Sequence, residues 1–113
     1  MSASILAGRD RMDLDNGMQL RLLSALEVLQ ARREAEELAQ EERERPLCSN
    51  ACLLSRALET QEGEPVFSSG REVLSGLRVE EIAALAGTWS RFNREENPSL
   101  TMGQEQVEEV KKN

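Results

Sequence analysis

The first half of the chain has apolar residues at a helical spacing. The stripe starts with steps of four, four and three residues and then drifts by one position, through Met18, Leu22, Leu26 and Leu29 and then Val28, Ala31, Ala35 and Leu38. Arginine and glutamate fill the opposite face, as in an amphipathic helix. With Asn16 as N-cap and Pro46 as a stop, the pattern predicts one long charged helix at about residues 18–45.

Three shorter amphipathic patterns follow Pro46. A helix at 47–58 is indicated by apolar residues at steps of four, three and four, namely Leu47, Ala51, Leu54 and Leu58. Ser69-x-x-Glu72 has the pattern of a capping box and opens a helix at 70–76. The last helix, at 79–96, has an apolar face that includes Trp89 and Phe92, and Pro98 ends it.

Between the helices at 47–58 and 70–76 lies an acidic turn, Glu62-Gly63-Glu64-Pro65. Glycine and proline in this order are typical of a turn. Val66 and Phe67 come directly after it as a small apolar anchor that we expect to be pinned into the core.

These patterns together predict an all-α fold: a long N-terminal helix followed by about three shorter helices in a small bundle. We expect a single helical domain at residues 16–97, between a flexible N-terminus at 1–15 and a flexible C-terminal tail at 98–113. No segment alternates with a period of two for long enough to predict a sheet.

Composition narrows the possible partners. The net charge is −7, and the basic residues are mostly interleaved with acids, so we expect the chain to bind neither nucleic acid nor an anionic membrane. No apolar stretch is long enough to span a bilayer and no secretory signal is recognisable, which makes the cytoplasm the expected location. A core this small is often completed by a partner or by a homo-oligomer.

Candidate chemistry is sparse. The chain has no histidine and no tyrosine, and its glycines do not form a phosphate-binding pattern. Cys48 and Cys52 lie one helical turn apart, but the ligands that would complete a zinc site are missing, so buried small apolar side chains are the favoured interpretation. We therefore expect no enzyme, no metal and no cofactor.

Contact with another protein is the remaining function. The long helix has a narrow face of alanine and leucine that either projects into solvent or meets a partner helix. Trp89 is expected in the core, and Phe92, nearer the helix end, is expected to be partly exposed. The candidate interaction residues are Leu29, Ala35, Leu38, Val66, Phe67 and Phe92.

The order of elements from about Ala51 to Ser99 resembles a known family. A helix with the pattern LLSRALET, an acidic glycine–proline turn (QEGEPVF), a short helix and a last amphipathic helix are similar to the tail assembly chaperones of long-tailed bacteriophages. The long charged helix and the Trp-Ser-Arg-Phe-Asn end do not belong to the family's general pattern.

The resemblance implies a function and its partners. Such proteins are small and acidic, act in the cytoplasm of the infected host cell, coat the tape measure protein and help to recruit tail tube subunits. Many are also made in a longer form by a ribosomal frameshift. Here the only two lysines are Lys111 and Lys112, followed by Asn113, and a slippery A-AAA-AAC heptamer would encode this ending.

Two other functions stay open. The chain could be a small acidic regulatory or inhibitory phage protein that binds a host or viral enzyme. It could also be a structural tail or connector component of the virion.

Overall fold

A three-stranded antiparallel sheet and four helices make up this protein in the computed structural model, which describes residues 10–96. The elements are β1 (Arg11–Asp13), β2 (Met18–Arg21), α1 (Ala25–Leu38), α2 (Arg45–Ala57), β3 (Leu58–Thr60), α3 (Gly70–Gly76) and α4 (Val79–Glu96), with a 3-10 turn at Glu42–Glu44 before α2. The fold is mixed α/β, so the predicted all-α class is wrong.

The long helix predicted at 18–45 does not form. Its first residues belong to β2, which pairs with β1 in a hairpin, and its helical part is only α1. Asn16 lies in the hairpin loop rather than at a helix cap, and Gly17 takes a φ of +83° there. Asparagine followed by glycine supplies the backbone conformation that tight hairpins need. The same hairpin also places residues 11–13, predicted to be flexible, in β1.

Local sequence signals set the first residue of α1 and the first turn of α2. Ser24 begins α1 with a complete capping box, in which its side chain accepts a hydrogen bond from the Glu27 N–H and the Glu27 carboxylate accepts one from the Ser24 N–H. Pro46 lies in the first turn of α2 and therefore opens a helix instead of ending one. Proline is tolerated there because the first N–H groups of a helix have no intrahelical partner.

Helix α2 is the centre of the molecule, since α1, α3 and α4 all pack against it. The main core joins one face of the sheet to α2, α3 and α4 through Leu20, Ala51, Leu54, Ala57, Leu58, Val73, Ile82 and Trp89. A second cluster between α1 and α2 consists of Ala31, Ala35, Cys48 and Cys52. The narrow alanine face thus meets a helix of the same chain, because small side chains let two helices approach closely.

The second half of the chain agrees better with its pattern. The acidic turn is present, with Gly63 at a φ of +91° and its N–H donating to the Thr60 carbonyl at 2.9 Å. Helices occupy Gly70–Gly76 and Val79–Glu96, the predicted bounds, and Ser69 caps the first of them. The predicted tail at 98–113, with Pro98 and the Lys111–Asn113 ending, and residues 1–9 lie outside the described residues.

Candidate docking grooves

Two apolar grooves open on the described surface. The first, the α1–α4 groove, lies between α1 and α4 and has α2 as its floor, because both of these helices pack on α2. It consists of two adjoining cavities of about 400 and 340 Å³ that share Val28, Arg32, Trp89 and Asn93. Leu23, Ala25 and Leu29 complete the first cavity, and Ala31, Ser49, Asn50 and Leu53 complete the second.

The α1–α4 groove combines a rigid aromatic wall with an exposed apolar rim. Trp89 of α4 is 7% exposed. Its indole N–H donates to the Arg21 carbonyl at 2.8 Å, and this hydrogen bond holds the ring against the end of β2. Leu29, on the facing helix, is 45% exposed. Arg32 is the charged residue of the lining, and within residues 10–96 it has no ion-pair partner. The groove therefore offers apolar surface together with one available cation.

The second groove, the hairpin groove, lies between the β1–β2 loop, the sheet and α4. It has a volume of about 310 Å³ and is lined by Asn16, Met18, Leu58, Val66, Phe67, Leu77, Glu81, Ala84 and Leu85. The Phe67 ring is seated on Gly76, where an added Cβ would come within 2.7 Å of the ring. Phe67 is thus a wall of this groove, and a side chain at position 76 would have to push its ring aside.

The outer face of the sheet carries a buried charge network. Glu59 is 5% exposed and accepts hydrogen bonds from Arg11 Nε at 2.8 Å and from Gln19 Nε2 at 2.7 Å, and Arg21 Nε lies 3.7 Å from its other oxygen. The hydrogen bond to Glu59 raises the pKa of Arg11. Because each carboxylate oxygen already has a partner within the fold, this network is a structural connection across the strands.

A second carboxylate joins three helices. Glu34 in α1 accepts a hydrogen bond from Arg56 Nη1 of α2 at 2.8 Å and one from the Gly70 N–H at the start of α3 at 2.9 Å. Burial by itself would raise the pKa of Glu34, but the hydrogen bonds from Arg56 and Gly70 outweigh it and lower that pKa. The neighbouring Cys52 thiol has its pKa raised to about 12, first by burial and then by the Glu34 charge. A protonated thiol without solvent access fits the predicted apolar role of the cysteines.

Five of the six predicted interaction residues separate into three groups. Leu29 lies in the α1–α4 groove, and Val66 and Phe67 line the hairpin groove. Ala35 and Phe92 are buried at 0% and 1% exposure, so neither presents a surface to a partner. Phe92 was expected to be partly exposed, but it lies three residues after Trp89 on the buried face of α4, which continues to that end of the helix.

Leu38 is half-buried against the second core cluster at the end of α1. Val28, Leu53 and Arg32 belong to the α1–α4 groove, although the sequence did not single them out. Val28 is part of the drifting apolar stripe, and that drift was the available signal, since a stripe wider than one helix contact has residues left for a second surface.

Within residues 10–96 no helix is long and apolar enough to cross a membrane, and no group of three or more potential ligands is placed to hold a metal ion. Compared with protein-family models, curated proteins and solved structures, the chain has no match in any of the three.

Proposed function

We propose that this chain is a non-enzymatic tail assembly chaperone of a long-tailed phage, and that its α1–α4 groove holds an amphipathic helical segment of the tape measure protein. The observation that carries the proposal is the groove itself, an apolar channel between two helices that share a third as its floor. The resemblance in the order of elements from Ala51 onward supplies the identity of the client.

A helix in this groove would complete the packing that α1 and α4 leave open. Amphipathic helices bind such channels by inserting apolar side chains spaced three and four residues apart. Trp89 offers a fixed aromatic wall, and interface energy tends to concentrate at buried aromatic positions. The exposed Leu29 lies at the rim, where a client would cover it.

The remaining parts of the proposal come from the resemblance and the charge. The chaperone would act in the host cell cytoplasm and help to recruit the tail tube protein around the coated client. A net charge of −7 favours solubility of a complex with an aggregation-prone partner. A homo-oligomer and a longer frameshift product read through Lys111-Lys112-Asn113 belong to the same proposal.

The test is co-expression with the tape measure protein of the same phage, followed by capture of this chain through a tag. Leu29→Glu places a charge in the groove and is expected to lower the amount of captured client at least tenfold. Leu26→Glu is the matched control, because Leu26 is a more exposed leucine of the same helix, at 59%, and does not line the groove. It should retain near wild-type capture.

Two outcomes of the capture experiment would count against the proposal. Failure of the wild-type chain to associate with the tape measure protein in either expression order would overturn the chaperone function. Equal loss of capture in both leucine variants would overturn the assignment to this groove. Presence of the chain in purified particles would favour the structural virion component, and capture of a single host or viral enzyme would favour the inhibitor.

A further inference from the structure

The hairpin groove is a separate surface from the proposed client site. The two grooves have no lining residue in common. Its apolar lining comes from three parts of the chain, with Met18 from β2, Phe67 after the acidic turn and Leu85 from α4. An occupant of this groove therefore leaves Leu29 and Trp89 uncovered.

The sheet register brings three acidic residues to the end of the sheet that borders the hairpin groove. Met18 pairs with Thr60, so the loop that precedes β2 and the turn that follows β3 emerge at the same end of the sheet. That end carries Asp15, Glu62 and Glu64, next to the lining residues Asn16 and Val66. In the part of the chain that the structure describes, none of these three carboxylates has an ion-pair partner.

The α4 side of the groove adds negative charge of its own. Glu81 lines the groove and Glu80 precedes it. The nearest base, Arg78, lies 3.8 Å from Glu81 and is 80% exposed, so it balances only one carboxylate at this rim. The acids without an ion-pair partner are therefore those of the loop and the turn, whereas Glu81 on the α4 side is paired with Arg78.

We propose that the hairpin groove docks a basic amphipathic segment of a partner protein. One apolar side chain of that segment enters between Phe67 and Leu85, and flanking lysines or arginines pair with the carboxylates of the loop and the turn. Charge complementarity selects this occupant: a second copy of this chain would add acids to acids, and nucleic acid would be repelled. This site is independent of the client site and does not require the proposed function.

The test uses a fluorescein-labelled helical peptide of leucine and lysine in amphipathic order, without tryptophan, titrated with the full chain and followed by fluorescence anisotropy. Ala84→Arg fills the groove and repels the peptide, and is expected to weaken binding at least tenfold. Ala83→Arg is the matched control, since Ala83 is also exposed on α4 but does not line the groove, and it should change affinity by less than twofold.

Charge and location are checked in the same titration. The combined changes Asp15→Asn, Glu62→Gln and Glu64→Gln should also weaken binding severalfold, and a peptide with glutamate in place of lysine should not bind. Leu29→Glu should have no effect, and Trp89 emission at a fixed chain concentration should not change on addition of unlabelled peptide, because those residues report on the other groove. Equal effects of the two alanine variants, or equal binding of the acidic peptide, would overturn the inference. Neither result would bear on the capture of tape measure protein.

Discussion

Glu59 is a buried carboxylate, and its side chain connects all three strands of the sheet. Its carboxylate bonds to Arg11 of β1 and to Gln19 of β2, and its own backbone belongs to β3. Strands of three and four residues offer few backbone hydrogen bonds, so a side-chain connection of this kind contributes a large share of their cohesion. A buried charge of this type is costly unless every oxygen is paired.

We expect Glu59→Gln to lower the free energy of unfolding by about 1–3 kcal/mol. The amide oxygen accepts weaker hydrogen bonds than the charged carboxylate does, and the amide NH2 group is itself a donor that would face the donor groups around it. The arginines can still reach solvent, which keeps the cost below that of a fully buried broken pair. Urea unfolding at neutral pH measures the effect. Glu62→Gln, in the exposed turn, is the control and should stay within about 0.5 kcal/mol of wild type.

At the scale of the elements, α3 packs closely against α2. A Cβ at Gly70 would collide with the Cys52 sulfur and would lie 3.1 Å from the Cys52 Cα. Because part of this contact is backbone, α2 and α3 would have to separate to accept it. The Glu34 carboxylate bonds to the Gly70 N–H at the same point, so a shift of α3 would also weaken that connection.

Gly70→Ala is therefore expected to lower the free energy of unfolding by about 1–3 kcal/mol, the usual cost of overpacking. Gly87→Ala is the matched glycine change. In the middle of α4 an added Cβ would meet only Arg91 Nη1 at 3.9 Å, so helix propensity should raise stability by up to about 1 kcal/mol. Thermal unfolding shows whether each variant is more or less stable than the wild type. A stabilised Gly70→Ala would contradict the close contact.

Two carboxylates connect elements across the whole molecule and make its stability depend on pH. The hydrogen bond from Arg21 lowers the pKa of Glu27 and ties α1 to β2. The pKa of Glu34, which joins α1, α2 and α3, is lowered as well. Both groups bind protons more readily in the unfolded chain than in the folded one, so their contribution is present above the unfolded pKa of about 4.5.

The melting temperature should consequently be nearly constant from pH 7 to about pH 5 and fall as pH decreases through 4.5 and below. Glu34→Gln should lower the melting temperature at pH 7 and flatten this acid dependence. Calorimetry between pH 7 and 3 measures both. An acid dependence of the same steepness in Glu34→Gln and wild type would show that the contribution comes from other groups.

How far the sequence predicts the fold differs between the two halves. From Leu47 onward, the helical period, the capping serine and the glycine–proline turn agree with each other, and the structure has elements at or near the predicted bounds. Before Leu47, the steps of four and three from Met18 to Leu29 suggested one helix. Asn16-Gly17 and Ser24-x-x-Glu27 are the competing local signals, and they determine a hairpin followed by a shorter helix.

By itself the sequence determined the turns, the caps and the later helices, because these depend on residues within a few positions of one another. It also determined the acidic charge and that Trp89 and the two cysteines are buried. Only the tertiary structure decided the sheet, since β3 lies almost forty residues after β2 and is recognisable only beside it. It also decided that α1 and α4 stand apart on α2 and leave a groove, because the sequence gives each helix's apolar face but not the neighbour that covers it.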